Sequence, residues 1–104
     1  SPDYRNSIKE SISAVEAICN LIAKNTKATL GQALKEIEKK MTLHPALKKA
    51  FDSLYGYASN AEGIRHALLD EPTLDFEDAK FMLVSCSGFI NYLLAKTSKA
   101  GIKL

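Results

Sequence analysis

Hydrophobic residues recur at helical spacing along the first quarter of the chain. They are separated mostly by three or four positions as far as about Lys24, a pattern typical of one buried face of a long helix. Ser1 is the expected N-cap of this helix, and Pro2 suits its first position. The predicted buried face consists of Tyr4, Ile8, Ile12, Val15, Ile18, Cys19 and Ile22.

Two further helices follow, each with its own start signal. Thr29 and Gln32 match a capping box, in which two side chains satisfy each other's exposed backbone N–H groups. Pro45 suits the first turn of a third helix, and His44 beside it is interpreted as a surface or capping residue. The predicted buried positions are Leu30, Leu34, Ile37 and Met41 in the second helix, and Leu47, Ala50, Phe51, Leu54, Tyr55 and Ala58 in the third.

The final helix has more apolar residues than one face can hold. Asp75 is its expected N-cap, and eleven of the sixteen residues from 79 to 94 are apolar. The helix is therefore expected either to lie at the centre of a bundle or to offer a second face to a partner chain. The small residues Ser85, Ser87 and Gly88 would let another helix approach closely, and residues 97–104 are expected to form a frayed tail.

These patterns predict an all-α fold. We expect an up-and-down bundle of four main helices with a short helical turn around 61–69, since no alternating strand pattern is present. A length of 104 residues suits a single domain, 1–104. We interpret it as a domain, C-terminal in position, of a longer protein.

Composition removes several function classes. Fourteen Lys and Arg against twelve Asp and Glu give a net charge of +2, which predicts no strong attraction to nucleic acid or membrane. No apolar run approaches the ~18 residues of a membrane span, so a cytoplasmic location is expected. Cys19 and Cys86 lack zinc-ligand spacing and are predicted to be buried thiols, with a disulfide between them as the alternative if their two helices pack side by side. No metal and no cofactor are expected.

The residues with the clearest chemical potential are Arg65 and His66. An arginine can clamp a phosphate and a histidine can exchange a proton near neutral pH, which together could cleave RNA without a metal. Asn60 is the accompanying candidate for binding RNA or a nucleotide. Six acidic residues between 62 and 78 would repel a polyanion, so Arg65 could instead pair with a carboxylate in a purely structural role.

Several segments resemble the HEPN-like domains of bacterial abortive-infection proteins. The resemblance rests on DYRNSIKESISAVE at 3–16, ATLG at 28–31, LHPAL at 43–47, GIRHALL at 63–69 and the segment from Asp75-Phe76 to Ser85. It implies a helical bundle that pairs as a homodimer, often fused behind another domain. Active members of that family are metal-independent ribonucleases in phage defence and toxin–antitoxin systems.

The family's catalytic motif is incomplete in this chain. The motif is an arginine, a polar residue, four to six others and then a histidine. Arg65 and His66 match its first two positions, but residues 71–73 are Glu, Pro and Thr. Arg5-Asn6 also fails, because residues 11–13 are Ser, Ile and Ser. The resemblance therefore argues against catalysis.

Two hypotheses follow. The first is a non-catalytic dimerisation or interaction module of the HEPN-like type, with a homodimer as its expected form and a fused domain or partner protein as a further partner. The alternative is a divergent metal-independent ribonuclease. In that case Arg65 holds the phosphate of RNA, His66 acts as the general acid–base, and Asn60 or Asp70 orients them.

Overall fold

The computed structural model describes residues 3–59 and 74–104, which form four α-helices and no strand. The all-α prediction is thus confirmed for this part of the chain, whereas the turn expected around 61–69 lies outside the described residues. The helices are α1 (Tyr4–Ala23), α2 (Leu30–Glu38), α3 (Pro45–Ser59) and α4 (Phe76–Lys99).

α1 begins later than the sequence indicated. Its N-cap is Asp3, whose carboxylate accepts a hydrogen bond of 2.9 Å from the backbone N–H of Asn6, so the prediction of Ser1 was wrong. The carboxylate at position 3 is an equally good capping acceptor and lies nearer the first buried residues. The helix ends as expected at Lys24, which adopts a left-handed conformation with φ 57°. Lys40 Nζ then donates to the carbonyl of Ile22 at 2.9 Å.

α2 has the capping box expected from its sequence. Thr29 N donates to Gln32 Oε1 at 3.0 Å, and Gln32 N donates to Thr29 Oγ1 at 3.2 Å. The helix ends at Glu38, before the predicted Met41, which is nevertheless buried just beyond the end. The other three predicted core positions, Leu30, Leu34 and Ile37, are fully buried.

His44 caps α3, as its position beside Pro45 suggested. Its ring is exposed, and Nδ1 accepts a hydrogen bond of 3.0 Å from the backbone N–H of Ala46. This satisfies one of the N–H groups that lack a partner in the first turn of a helix. The interpretation of His44 as a surface capping residue is confirmed.

The predicted buried stripe of α3 is only partly buried. Leu47 and Ala50 are exposed, Phe51, Leu54 and Tyr55 are half-buried, and the side chain of Ala58 lies outside the described residues. α3 lies at the edge of the bundle, where one side of its apolar stripe meets the core and the other meets solvent. The spacing of apolar residues does not distinguish a fully buried stripe from one that lies at the edge of the bundle.

α4 extends further than predicted. Its N-cap is Asp75, as expected, and a reciprocal hydrogen bond with Asp78 completes a capping box. The expectation of a frayed tail from 97 was wrong, because Thr97 is buried and its hydroxyl donates to the carbonyl of Leu93 at 2.7 Å. The helix continues to Lys99, and Ile102 packs against the core beyond it.

The three long helices alternate in direction. Tyr4 shares a cavity wall with Phe76, and further along Ser11 shares one with Cys86, so α1 and α4 run in the same direction. α3 runs the opposite way, since its Phe51 stacks on Phe89 while its later residues Leu54 and Tyr57 share a cavity wall with Asp78 and Phe81, earlier in α4. The most extensive helix–helix contact is between α1 and α4, and the apolar side chains of α2 cover the same core.

Candidate functional site

The site suggested by the sequence cannot be placed. Asn60, Arg65, His66 and Asp70 all lie outside the described residues. Their proximity to one another, and the chemistry assigned to Arg65 and His66, therefore stay predictions. The other functional signal in the sequence, the excess of apolar residues in the last helix, does fall within the described part.

α4 is buried on one side only. The side that faces α1 and α3 holds a regular stripe of core positions and accounts for only part of the apolar content of the helix. α4 therefore does not lie at the centre of the bundle in the described structure. The buried positions are Ala79, Met82, Cys86, Phe89, Leu93 and Thr97.

The opposite side of α4 exposes four large apolar side chains. Phe76, Phe81, Leu83 and Val84 are between 54% and 61% exposed, and we call these four residues the apolar face. Single exposed apolar residues are ordinary, but four within nine positions of one helix are a marked concentration. Phe76, Leu83 and Val84 lie toward α1, whereas Phe81 lies toward α3, where it shares a cavity wall with Leu54 and Tyr57. Exposed apolar surface of this kind is typical of sites that bind another protein.

A groove between α1 and α4 borders the apolar face. Its larger part has a volume of about 500 Å³ and its smaller part about 200 Å³, and Ser7 and Leu83 line both. Asp3 and Lys80 are the charged residues in the larger part. The remaining residues lining the larger part are Tyr4, Phe76, Ala79 and Val84.

The middle of α4 is exposed and carries small side chains. Ser87 and Gly88 are the two central residues of the helix, and both are exposed. Apart from the adjoining residues and backbone of α4 itself, no heavy atom lies within 4 Å of the place that a Cβ at Gly88 would occupy. Another helix could approach the backbone closely at this point.

Charges separate toward the two ends of α4. The first turn of this helix holds Glu77 and Asp78 beside the N-cap Asp75, and its last turn holds Lys96 and Lys99. Backbone hydrogen bonding from Asp78 lowers the pKa of Asp75, so this carboxylate stays ionised. α1 shows no such separation, because Arg5 follows its N-cap Asp3 and its first turn holds no acidic residue.

The two cysteines are core residues and not nucleophiles. Both are free thiols and buried, as the sequence predicted. Burial raises the pKa of Cys19 to about 12, with a further contribution from the negative charge of Glu16. Burial also raises the pKa of Cys86, although its side chain lines the smaller part of the groove. A thiol that stays protonated at neutral pH is a poor nucleophile and a poor metal ligand.

Within the described ranges, no three His, Cys, Asp or Glu side chains are grouped so as to hold a metal ion. The helices of these ranges also include none with the length and apolar character needed to cross a membrane. Comparison of the chain with protein-family models, curated proteins and solved structures finds no match.

Phe76 is the member of the apolar face that sequence reasoning missed. It directly follows the N-cap, outside the stretch of 79–94 in which apolar residues were counted. Its position two turns before Leu83 and Val84 is the signal that could have revealed it, because residues seven or eight apart lie on one helix face. Tyr4, predicted for the core, is half-buried: it packs against the core and also lines the groove.

Proposed function

We propose that this chain is a non-catalytic helical module that pairs with a second copy of itself through the apolar face of α4. The observation that carries the proposal is the exposure of Phe76, Phe81, Leu83 and Val84 on one side of a helix whose other side is fully packed. Removing apolar surface from water is worth about 25 cal/mol per Å², so covering this face with a second copy would favour association.

The groove beside the face fits side chains better than it fits a charged substrate. Its walls are mostly apolar, and its charged residues Asp3 and Lys80 are not accompanied by a histidine or arginine. Lys80 lies over the ring of Phe76, 6.0 Å from its centroid, and so shields part of the aromatic surface. An aromatic or leucine side chain from a partner could enter the larger part of the groove, as knobs enter holes between packed helices.

We place the module with the HEPN-like domains as part of the same proposal. Its support is the sequence resemblance together with the all-α fold and an exposed helix face suited to pairing. Because residues 71–73 include no histidine, we propose that this chain acts by binding a partner and not by catalysis. A cytoplasmic role beside a fused domain or partner protein, in a bacterial phage-defence system, is the setting that the resemblance suggests.

Analytical ultracentrifugation of matched leucine variants tests the proposal. Leu83 and Leu104 are 54% and 55% exposed, but only Leu83 belongs to the apolar face. Because a twofold dimer contains two copies of Leu83, we expect Leu83→Gln to raise the dimer Kd at least about tenfold. Leu104→Gln should leave the Kd within about twofold of the wild-type value, since exposed sites away from an interface contribute little.

Two results would overturn this proposal. One is a wild-type chain that stays monomeric up to millimolar concentration. The other is an equal loss of affinity in Leu83→Gln and Leu104→Gln, which would locate pairing away from α4. Circular dichroism of both variants controls for folding, because each leucine is already half in solvent.

A further inference from the structure

We infer that one end of the helical bundle binds the surface of an anionic membrane. We call it the basic end, formed by residues 24–49 and 96–104, and the inference does not depend on the pairing of two copies. The first segment contains seven lysines and two glutamates and the second contains three lysines, a net side-chain charge of +8 with His44 neutral, which leaves −6 for the rest of the chain. The overall charge of +2, which alone predicts no strong attraction to a membrane, therefore conceals a strongly basic region.

The fold brings the two basic segments to the same end of the bundle. Because α1 and α4 run in the same direction, Lys24 at the end of α1 and Lys99 at the end of α4 lie at one end. Lys40 Nζ donates to the carbonyl of Ile22 at 2.9 Å, which holds the chain after α2 there as well. α3 begins at this end, since it runs in the opposite direction to α4. The lysines of both segments therefore surround one end of the molecule.

The carboxylates of the basic end compensate only two of its lysines. Glu36 pairs with Lys39 at 3.0 Å, and Glu38 pairs with Lys48 at 3.2 Å. These are the two acidic residues of the basic end, so eight lysines have no carboxylate from the same segments to offset their charge. Charges of one sign gathered on one end of a small domain produce a field that attracts an anionic partner and weakens with salt.

Exposed leucines accompany the lysines and favour a membrane as the anionic partner. Outside the apolar face, the exposed large apolar residues of the described part of the chain are Leu21, Leu47 and Leu104, between 39% and 55% exposed. Leu21 lies one turn before Lys24, Leu47 lies in the first turn of α3, and Leu104 follows α4. Lysines bind anionic headgroups, and leucines beside them can enter the boundary between headgroups and acyl chains.

The composition of the basic end is less suited to nucleic acid. Residues 24–49 and 96–104 contain no arginine and no aromatic residue, since the two arginines of the chain are Arg5 and Arg65. Arginine forks read base edges, and aromatic rings stack on unpaired bases. Lysines with leucines provide neither interaction, whereas a membrane surface needs only positive charge and apolar contact.

Co-sedimentation with vesicles tests the inference. The vesicles contain phosphatidylcholine alone or with about 30% of the anionic lipid phosphatidylserine. The test variant is Lys27→Gln/Lys99→Gln, and the matched control is Arg5→Gln/Lys9→Gln. Each variant removes two positive charges, but Arg5 and Lys9 lie in the first two turns of α1, away from the basic end. Circular dichroism of both variants controls for folding.

We expect the wild-type chain to bind the vesicles with phosphatidylserine, and high salt to release it. Lys27→Gln/Lys99→Gln should weaken binding about 25-fold, since each lysine near an anionic surface contributes about fivefold, and Arg5→Gln/Lys9→Gln less than about twofold. Leu21→Gln should weaken binding at least about threefold, because a polar side chain gains nothing from the acyl boundary.

No binding to either kind of vesicle, or an equal loss in the two double variants, would overturn the inference. Unchanged binding by Leu21→Gln would remove the reason for choosing a membrane and would also overturn it. Binding to a single-stranded oligonucleotide but not to the vesicles would assign the basic end to nucleic acid instead. None of these results bears on pairing through α4, which ultracentrifugation tests separately.

Discussion

Leu83 and Cys86 are less than one helical turn apart on α4, yet they differ completely in environment. Leu83 is 54% exposed and borders the groove, whereas Cys86 is buried against α1. The difference follows from helical phase, since three residues turn the side chain through about 300° and across the edge of the buried stripe. The reactivity of a side chain therefore depends on which face of the helix it occupies, as the two buried cysteines show.

The thiols should be unreactive in the folded chain. We expect iodoacetamide at pH 8 to label Cys19 and Cys86 rapidly in denaturant but hardly at all in the native protein, because burial raises the pKa of both thiols. Mass spectrometry of the labelled chain measures this. Labelling of the native protein at the denatured rate would show that the thiols are accessible.

The raised pKa of Cys19 also has a pH consequence. The folded state holds the thiol proton more tightly than the unfolded state, so stability from this group is complete below pH 9 and falls as the pH rises toward 12. We expect the free energy of unfolding to decline less steeply over this range in Cys19→Ala than in the wild-type chain. Parallel declines in urea titrations would contradict this assignment.

At the scale of whole elements, the sequence predicted the features that depend on neighbouring residues. Thr29 with Gln32, His44 and Asp75 were identified because a cap requires only a polar acceptor and the N–H groups two or three positions later. The end of α4 was missed because it depends on tertiary packing. Thr97 reads as a polar residue in a lysine-containing tail, but its hydroxyl bonds within the helix, so its methyl group can be buried.

Two glycines in different elements should respond oppositely to the same substitution. Gly56 lies inside α3, where a Cβ meets no atom, so Gly56→Ala should stabilise the fold by about 0.5–1 kcal/mol. Gly101 has φ 73° just after α4, so Gly101→Ala should destabilise it by about 1 kcal/mol. Urea denaturation of both variants measures these changes. If both variants were stabilised, or both destabilised, backbone conformation would not explain the effects of these two substitutions.

At the scale of the whole molecule, the net charge of +2 conceals a separation of charge. Glu77 and Asp78 lie in the first turn of α4, and Lys96 and Lys99 lie in its last turn. Sequence order reveals this separation once the ends of the helix are known. The surroundings of Arg65 and His66 could not be predicted in this way, since proximity in sequence does not determine what surrounds a side chain in space.

We expect this chain not to cleave RNA. Incubated with mixed RNA in the presence of chelator, the wild-type chain should leave the RNA intact, as should Arg65→Ala and His66→Ala. The reasons are the missing histidine at 71–73 and the six acidic residues between 62 and 78, which repel phosphate. Gel analysis of the RNA measures the outcome. Cleavage by the wild-type chain that disappears in both variants would establish the ribonuclease alternative.

The central claim is that the apolar face of α4 joins two copies of this chain. Sedimentation equilibrium of the wild-type protein over a wide concentration range tests it most directly, because the mass follows without labels or variants. We expect a mass that rises from 11.4 kDa toward twice that value and then stops, as a closed twofold pair requires. A mass that stays at 11.4 kDa, or one that keeps rising beyond the dimer, would contradict it.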